Sequence, residues 1–449
     1  MDYSLLTVAT TRKECHVCKR LGRIDQAERY LTSWLAGASR GDDLQADLET
    51  NAYTDRDSSM IVDGTWAERN IGFDPTKVSA PASVFADKRA ASSADADDLP
   101  REIIDFDSDG SEGAAFLAFT KATGLSRFTD IPWPSGLAPV TGGTPSGNGA
   151  GPLPRADALV VTWTMDEGHA LSRVLTPGKD SRDDYIPYTH NYTSIASAMS
   201  HRCPAVQAKR LGAFWTTTIA DNSVVVFKSD SHLSQDTDRR LPADGLLPNA
   251  LLWKQIIEEV QPKVVLTTGT AGGIGKDFEV GDVVVSSVVR FDSQNWLKSA
   301  PFHAASYDSQ AAATRYFAEA EALFKANAGQ LPTDNSRPPN IVQVAPADLS
   351  SSVVTTDFFG FDTSDNHYKL WGLGDACEMG DAVLGMVAQQ LGPNAPRWLA
   401  VRNVSDPEIN AAGMRLQQQA ALAANIYKAF GRWSSVCSAI VCWALLAAL

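Results

Sequence analysis

VVLTTGTAGGIG, residues 264–275, sends a short apolar run into four glycines. An apolar run of this length predicts a buried strand, and a glycine loop behind a strand invites a phosphate. Two phosphate motifs can be tested directly. A Walker A loop needs Gly, four residues, then Gly-Lys-Ser/Thr. Gly275-Lys276 is in place, but Thr270 stands at the first glycine and Asp277 at the hydroxyl position, where a carboxylate would repel phosphate. A dinucleotide fingerprint needs Gly-x-Gly-x-x-Gly opening a helix. Ala271 stands at its middle glycine, and the following FEVGDVVV (278–285) reads as a turn and a second strand. Both motifs fail.

The chain around this stretch has 449 residues, 44% of them hydrophobic, enough for one large domain with an extension or for two to three domains. A net charge of −14 argues against a nucleic-acid-binding surface. Six cysteines are too sparse for a disulfide scaffold. The opening residues MDYSLLTVATTRKECHVCKR lack the apolar core of a secretory signal, so the expected compartment is the cytoplasm. The apolar C-terminus VCSAIVCWALLAAL (436–449) is short for a membrane span and is expected as a buried terminal helix.

Residues 1–155 differ from the rest and are expected to form an extension of unread role. Residues 90–113 are rich in Ala, Ser and Asp, a composition that predicts disorder. Residues 132–154 are rich in Gly, Pro, Ser and Thr and read as a linker. DQAERYLTSWLAG (25–37) and EGAAFLAFTKATGL (112–125) are short helix candidates. Cys15 and Cys18 form a lone Cys-x-x-Cys with no second ligand pair nearby, and are expected to be incidental.

From residue 156 strands and helices alternate. ALVVTW, the FWTTTI/SVVVFKS hairpin, KVVLTTG, DVVVSSVVRF, NIVQVAPA, SSVVTT and RWLAVRNVS read as strands. NALLWKQIIEEVQ, TRYFAEAEALFKANA, DAVLGMVAQQL and the stretch 409–433 read as helices. This predicts an α/β fold: a mostly parallel or mixed central sheet flanked by helices on both faces over 156–449. Ligands on such sheets bind beyond the carboxyl ends of the strands. Polar groups gather there: Asp166 and Glu167 after the first strand, Thr270 in the glycine stretch, Asp357 before two phenylalanines, and Ser405-Asp406.

In this order (TMDE, VVLTTGTAGGIG with VGDVVV, TTDFF, CEMGDA, RNVSDP) the chain resembles the purine nucleoside phosphorylase and nucleosidase superfamily over residues 156–433, and in particular the 5′-methylthioadenosine/S-adenosylhomocysteine nucleosidases. The resemblance implies cleavage of a purine N-glycosidic bond. Asp406 would protonate the leaving base, with Ser405 orienting it. That role needs a proton held near neutral pH, which burial favours. Glu167 would activate water. Thr270, Ala271 and Gly272 would line the nucleoside, and Phe358 and Phe359 would sandwich the base.

The sequence departs from the family at the ribose site. Family members read Glu-Met-Glu, and the second glutamate holds the sugar hydroxyls. Here the run is Glu378-Met379-Gly380-Asp381. Asp381 or Glu378 would have to supply the contact, the sugar be gripped differently, or activity be lost. Such a charge-assisted bond is worth about 1.5–3 kcal/mol.

Phosphorolysis would need arginine beside the sugar. Thr267 stands where the hexameric phosphorylases carry one, and Asp166 and Glu167 would repel phosphate. Arg202, Arg210, Arg239 and Arg240 read as surface or ion-paired charges. The seven histidines, His169 among them, show no metal-ligand spacing. The first expectation is therefore a purine, adenine-directed, nucleoside hydrolase without metal or cofactor. It would take a small-molecule nucleoside, bind neither nucleic acid nor membrane, and assemble as a homo-oligomer, as the family does. A phosphorylase is the second reading. A catalytically impaired nucleoside-binding or regulatory module is the third.

Overall fold

The computed structural model describes residues 131–145, 149–199, 203–231, 233, 247–292, 301–311, 315–326, 335–356, 360–411 and 416–449. Cys15, Cys18, the helix candidates before residue 130, Arg202, Arg239, Arg240, Phe358 and Phe359 lie outside them. The chain divides into two compact units. Of the first, Met1–Phe119 with Gly413–Asn425, only the first turns of the C-terminal helix are described. The second, Thr120–Ala412 with Ile426–Leu449, is the body described below.

The body is α/β, with a mixed central sheet of thirteen strands among the described residues. They are β1 (Val140–Thr141), β2 (Ala158–Thr162), β3 (Ile186–Tyr188), β4 (Gly212–Ile219), β5 (Asn222–Ser229), β6 (Val264–Gly273) and β7 (Val283–Ser286). The rest are β8 (Val288–Phe291), β9 (Ser306–Asp308), β10 (Ile341–Gln343), β11 (Val353–Thr355), β12 (Ala376–Glu378) and β13 (Arg397–Asp406). The main order is β1-β4-β5-β2-β6-β12-β11-β8-β9, and β13 pairs with β6 and β7. The helices are α1 (Met165–Leu175), α2 (Tyr192–Ala196), α3 (Pro204–Ala208), α4 (Pro248–Val260), α5 (Phe317–Ala326), α6 (Asp381–Leu391) and α7 (Leu416–Ala447).

The parallel heart β5-β2-β6-β13 carries the Val- and Leu-rich runs, as strands covered on both faces must. All five residues of β2 are buried. The β4–β5 hairpin turns at Ala220-Asp221, both at positive φ, which matches the twist of the strands it joins. In α4, Pro248 sits in the first turn, where its missing N–H costs nothing, and Leu252, Trp253, Ile256 and Val260 are buried.

The glycine stretch is where the structure differs from the expected loop. β6 does not end at Gly269 but continues to Gly273. Its tail is held by β13 on one edge, up to Gly272, and by β12 at Gly272 and Gly273 on the other. On that second edge β2 stops at Thr267. Between Thr267 and Gly272 this edge of β6 therefore has no strand partner, and the opening lies at the carboxyl end of the central strands.

One further segment differs from the composition-based reading, and the apolar C-terminus agrees with it. Upstream of residue 156, β1 pairs with β4, Trp133 packs on Trp443 at 4.6 Å, and Leu153 N–H donates to Glu259 at 2.7 Å. Aromatic anchoring and edge pairing override the linker-like Gly and Pro content there. The apolar C-terminus joins the preceding helix as one element, α7, and residues 433–447 are buried. Asn403 of β13 bonds Ser434 and Ser438, each at 2.7 Å, and Trp443 donates to the Leu137 carbonyl at 2.6 Å. No helix among the described residues is long and apolar enough to cross a membrane.

Candidate functional site

The first corner of the site is built on the turn from β2 into α1. Thr164 is the N-cap of α1, and Glu167 three residues on completes a capping box. This places the Glu167 carboxylate under the helix start, facing the unpaired edge of β6. Its Oε2 accepts from Thr162 Oγ1 (3.0 Å), Trp163 N–H (3.1 Å) and Thr164 N–H (2.9 Å). Its Oε1 accepts from the Thr270 N–H (2.8 Å) and hydroxyl (2.7 Å). The backbone donor that no strand takes is thus taken by a side chain. Gly269 makes the approach feasible: its φ is +156°, and a Cβ there would stand 2.5 Å from the Glu167 carboxyl. Burial alone would raise Glu167. The Arg402 charge and the bonds from Thr270 and Thr164 outweigh it and hold the carboxyl below the ordinary glutamate range.

The second corner is the end of β13. The register of β13 on β6 slips between Val404 and Asp406, so that Asp406 comes opposite Gly272. Irregularities of this kind re-aim side chains beside sites. Asp406 is buried, and Ser405 Oγ donates to its Oδ1 at 2.7 Å while also approaching the Ala271 carbonyl at 3.3 Å. Its Oδ2 has no partner among the described residues. Gly272 lies directly beneath: a Cβ there would be 3.1 Å from Asp406 Oδ2, 2.9 Å from Cys377 Sγ and 2.7 Å from the Gly360 carbonyl. Burial pushes Asp406 up to about 8, with Ser405 opposing weakly. The buried Cys377 thiol donates to the Gly360 carbonyl at 3.1 Å and supplies no ionised group.

Between the corners lies Arg402, also buried. Its Nε and Nη2 engage both oxygens of Asp381 (2.7 and 2.5 Å), and Nη2 reaches Glu378 Oε2 at 3.2 Å. Its guanidinium stacks over Trp163, 4.7 Å from the ring centre. Desolvation opposes its charge, but Asp381 and Glu378 hold it firmly protonated. Burial and the Asp381 charge push Glu378 upward against the pull of Arg402. Glu378 also accepts from Asp381 N–H (2.9 Å) and the Thr355 hydroxyl.

Asp381, one of the two residues expected to replace the missing ribose glutamate, therefore spends both oxygens on Arg402. Glu378 is the carboxylate that borders the gap at Gly380. Gly380 has φ −173°, which any residue adopts. A Cβ there would meet Trp163 at 3.5 Å and Glu378 Oε2 at 3.8 Å, ordinary contacts. Backbone and space both admit a side chain that the sequence omits.

The structure gathers Glu167 of α1, Thr270, Ala271 and Gly272 of β6, Glu378 and Met379 at the end of β12, Asp381 at the start of α6, and Ser405 and Asp406 of β13, and all but Thr270 are buried. Phe358 and Phe359 fall outside the described residues. Thr267 is buried in β6, its hydroxyl without a partner among the described residues. Arg210 is ion-paired as expected, to Asp230.

Two residues of the site carry no signal in the sequence and a third carries only part of one. Trp163 carried no motif, although it follows a strand end. Arg402 was legible as part of the Arg-x-x-Ser-Asp run but not as the hub of two carboxylates. Tyr427 of α7 had no signal at all. Its buried phenol lies beside Thr164 and Thr270, and burial together with the Glu167 and Asp166 charges pushes it well above its ordinary value. Among the described residues no group of three or more His, Cys, Asp or Glu could hold a metal ion.

The signature of the phosphorylase superfamily matches residues 200–441, more than half of the chain, and the chain belongs to that family. Over 36 residues it is 58% identical to a 5′-methylthioadenosine/S-adenosylhomocysteine nucleosidase of Chromohalobacter salexigens; the match spans 8% of this chain and 15% of that enzyme. Similar solved structures include the 5′-methylthioadenosine/S-adenosylhomocysteine nucleosidase of Neisseria meningitidis in complex with methylthio-immucillin-A. Identity there is 16% over 65% of this chain and 100% of that one, with a TM-score of 0.40. Futalosine hydrolase of Helicobacter pylori matches at 14% identity over 64% of this chain and 96% of that one, with a TM-score of 0.38.

Proposed function

We propose that this protein hydrolyses the N-glycosidic bond of purine nucleosides, with adenine as the leaving base. The observation that carries this reading is Asp406: a carboxyl pushed up to about 8 by burial, with one oxygen fixed by Ser405 and the other without a partner among the described residues. That is the state a general acid needs. Asp406 gives its proton to the base as the C1′–N bond breaks. Water forms the new C1′–O bond and loses a proton.

Glu167 serves as the base through Thr270. Five donors already occupy Glu167, so an attacking water meets the Thr270 hydroxyl, which passes its own proton to Glu167 Oε1. The low-lying Glu167 and the raised Asp406 form a pair whose environments drive them apart, the pattern that separates base from acid within one site.

The test is release of free base from adenosine, inosine and 5′-methylthioadenosine, each with and without phosphate. Base released without phosphate is the expected result. Base released only with phosphate would convert the reading to phosphorolysis, and none from any substrate would favour the binding module that Gly380 suggests.

A further inference from the structure

One cluster of buried charge is left unused by this chemistry. Lys228, at the end of β5, and Arg210, ahead of β4, converge on a single carboxylate, Asp230. Lys228 Nζ meets Asp230 Oδ1 at 2.6 Å, and Arg210 Nε meets Oδ2 at 2.5 Å. The side chains of Lys228, Arg210 and Asp230 are only 9%, 11% and 3% exposed. Two cations thus share one anion in a nearly dry place, and among the described residues neither cation has a second ion-pair partner. A buried charge left without a counter-charge is costly.

A hydroxyl beside Lys228 is also unengaged. Ser181 Oγ is buried with no hydrogen-bond partner among the described residues. Ser181 Oγ and the Lys228 stem flank the same point, 2.9 and 3.1 Å from where a Cβ on Gly168 would stand. Excess positive charge and an orphaned hydroxyl have a common complement: an anion with several acceptor oxygens.

This cluster adjoins the candidate active site. Lys228 is the register partner of Thr162, whose hydroxyl bonds Glu167, and Gly168 is the residue after Glu167.

We propose that Lys228, Arg210 and Ser181 form an anion-binding recess beside the catalytic corner that takes a phosphate-type group, either free phosphate or a phosphate carried by the nucleoside. In the second case the proposal rests on the nucleoside reading above; in the first it does not.

The test is calorimetry on the full chain with three probes at matched ionic strength: inorganic phosphate, adenosine, and adenosine 5′-monophosphate. Lys228→Met is the main variant. It leaves Arg210 and Asp230 as a balanced pair, so the fold is expected to survive, and thermal melting checks this. Ser181→Ala is a second variant that removes one orphaned hydroxyl and no charge.

Phosphate binding that weakens about tenfold or more in Lys228→Met, as loss of a charge-assisted contact predicts, supports a site for the free anion. If instead the monophosphate binds about tenfold or more tighter than adenosine, and Lys228→Met erases the difference, the anion is the nucleoside's own. Phosphate binding no better than the salt control, together with equal affinity for adenosine and its monophosphate, overturns the recess. Binding that Lys228→Met and Ser181→Ala both leave unchanged overturns it as well. Failure of base release with phosphate binding intact would overturn the nucleosidase reading alone.

Discussion

Glu167 and Asp406 are two buried carboxylates on either side of β6, and the fold treats them in opposite ways. Glu167 receives five hydrogen bonds and feels Arg402. Among the described residues Asp406 receives one, from Ser405, against the desolvation that raises it. Burial penalises both charges; only Glu167 is compensated. Equal depth therefore does not mean equal chemistry. The number of donors aimed at each group decides which is ionised, and that number follows from local backbone. Glu167 sits under a helix start, opposite an unpaired strand edge, where N–H groups are abundant. Asp406 follows an irregularity at a strand end, where they are not.

The largest expected effect comes from removing the proton of Asp406. Asp406→Asn should lower the base-release rate by ~10²–10⁴-fold, the usual range for loss of a general acid. Melting temperature should hold or rise, because a neutral amide replaces a carboxyl that the fold keeps neutral. The wild-type rate should fall as pH rises through about 8, and this limb should vanish in the variant. A variant with near-normal turnover would end the assignment of Asp406 as acid.

Stability should divide the same pair. Asp406 is raised in the folded state, so its contribution is fully present below the unfolded value, about 4, and is lost as pH rises through about 8. Glu167 is lowered, so its contribution is present above the unfolded value, about 4.3, and is lost as pH falls through its lower folded value. Glu167→Gln should therefore destabilise at neutral pH by about 2–4 kcal/mol, since one carbonyl oxygen cannot serve five donors and the cap is weakened. It should also flatten the acid limb of stability, as Asp406→Asn flattens the alkaline one. Chemical denaturation across pH reads both. Equal effects of the two substitutions at pH 7 would dissolve the contrast.

Much of this contrast was legible in the chain. The order of Glu167, the glycine stretch, Glu378 and Ser405-Asp406 could be read because strand ends and motif spacing are local properties. The glycine stretch itself reads as a loop but is the tail of β6. Glycine weakens a strand on its own, and only the grip of β13 and β12 keeps residues 269–273 extended. The reason for the glycines was likewise out of reach. Gly269 makes room for Glu167, and Gly272 for Cys377 and Asp406, side chains that arrive from distant parts of the sequence. Asp381 shows the same limit: spacing brought it near the sugar position, but nothing local reveals that Arg402 holds both its oxygens. Tyr427 comes from a helix far along the chain and bears no motif.

The smallest predicted effect probes Gly380, the one point where the site lacks a group its surroundings could hold. Gly380→Glu needs no left-handed backbone, and its first side-chain atom would rest on Trp163 at an ordinary 3.5 Å. Arg402 lies over the same ring and is already matched by Asp381 and Glu378, so a new carboxylate there has no strong reason to turn inward. Its available partners are the hydroxyls of a bound sugar. A charge-assisted bond of that kind predicts KM for adenosine lower by ~10-fold, with kcat changed less, because the contact is made before and during bond cleavage alike. A 2′-deoxynucleoside, which offers one hydroxyl fewer, should gain less. An unchanged KM with ribose, in a variant that melts normally, would mean that the sugar does not lie against Gly380. Glu378 would then not border the ribose, and the contrast between Glu167 and Asp406 would need a differently oriented nucleoside between them.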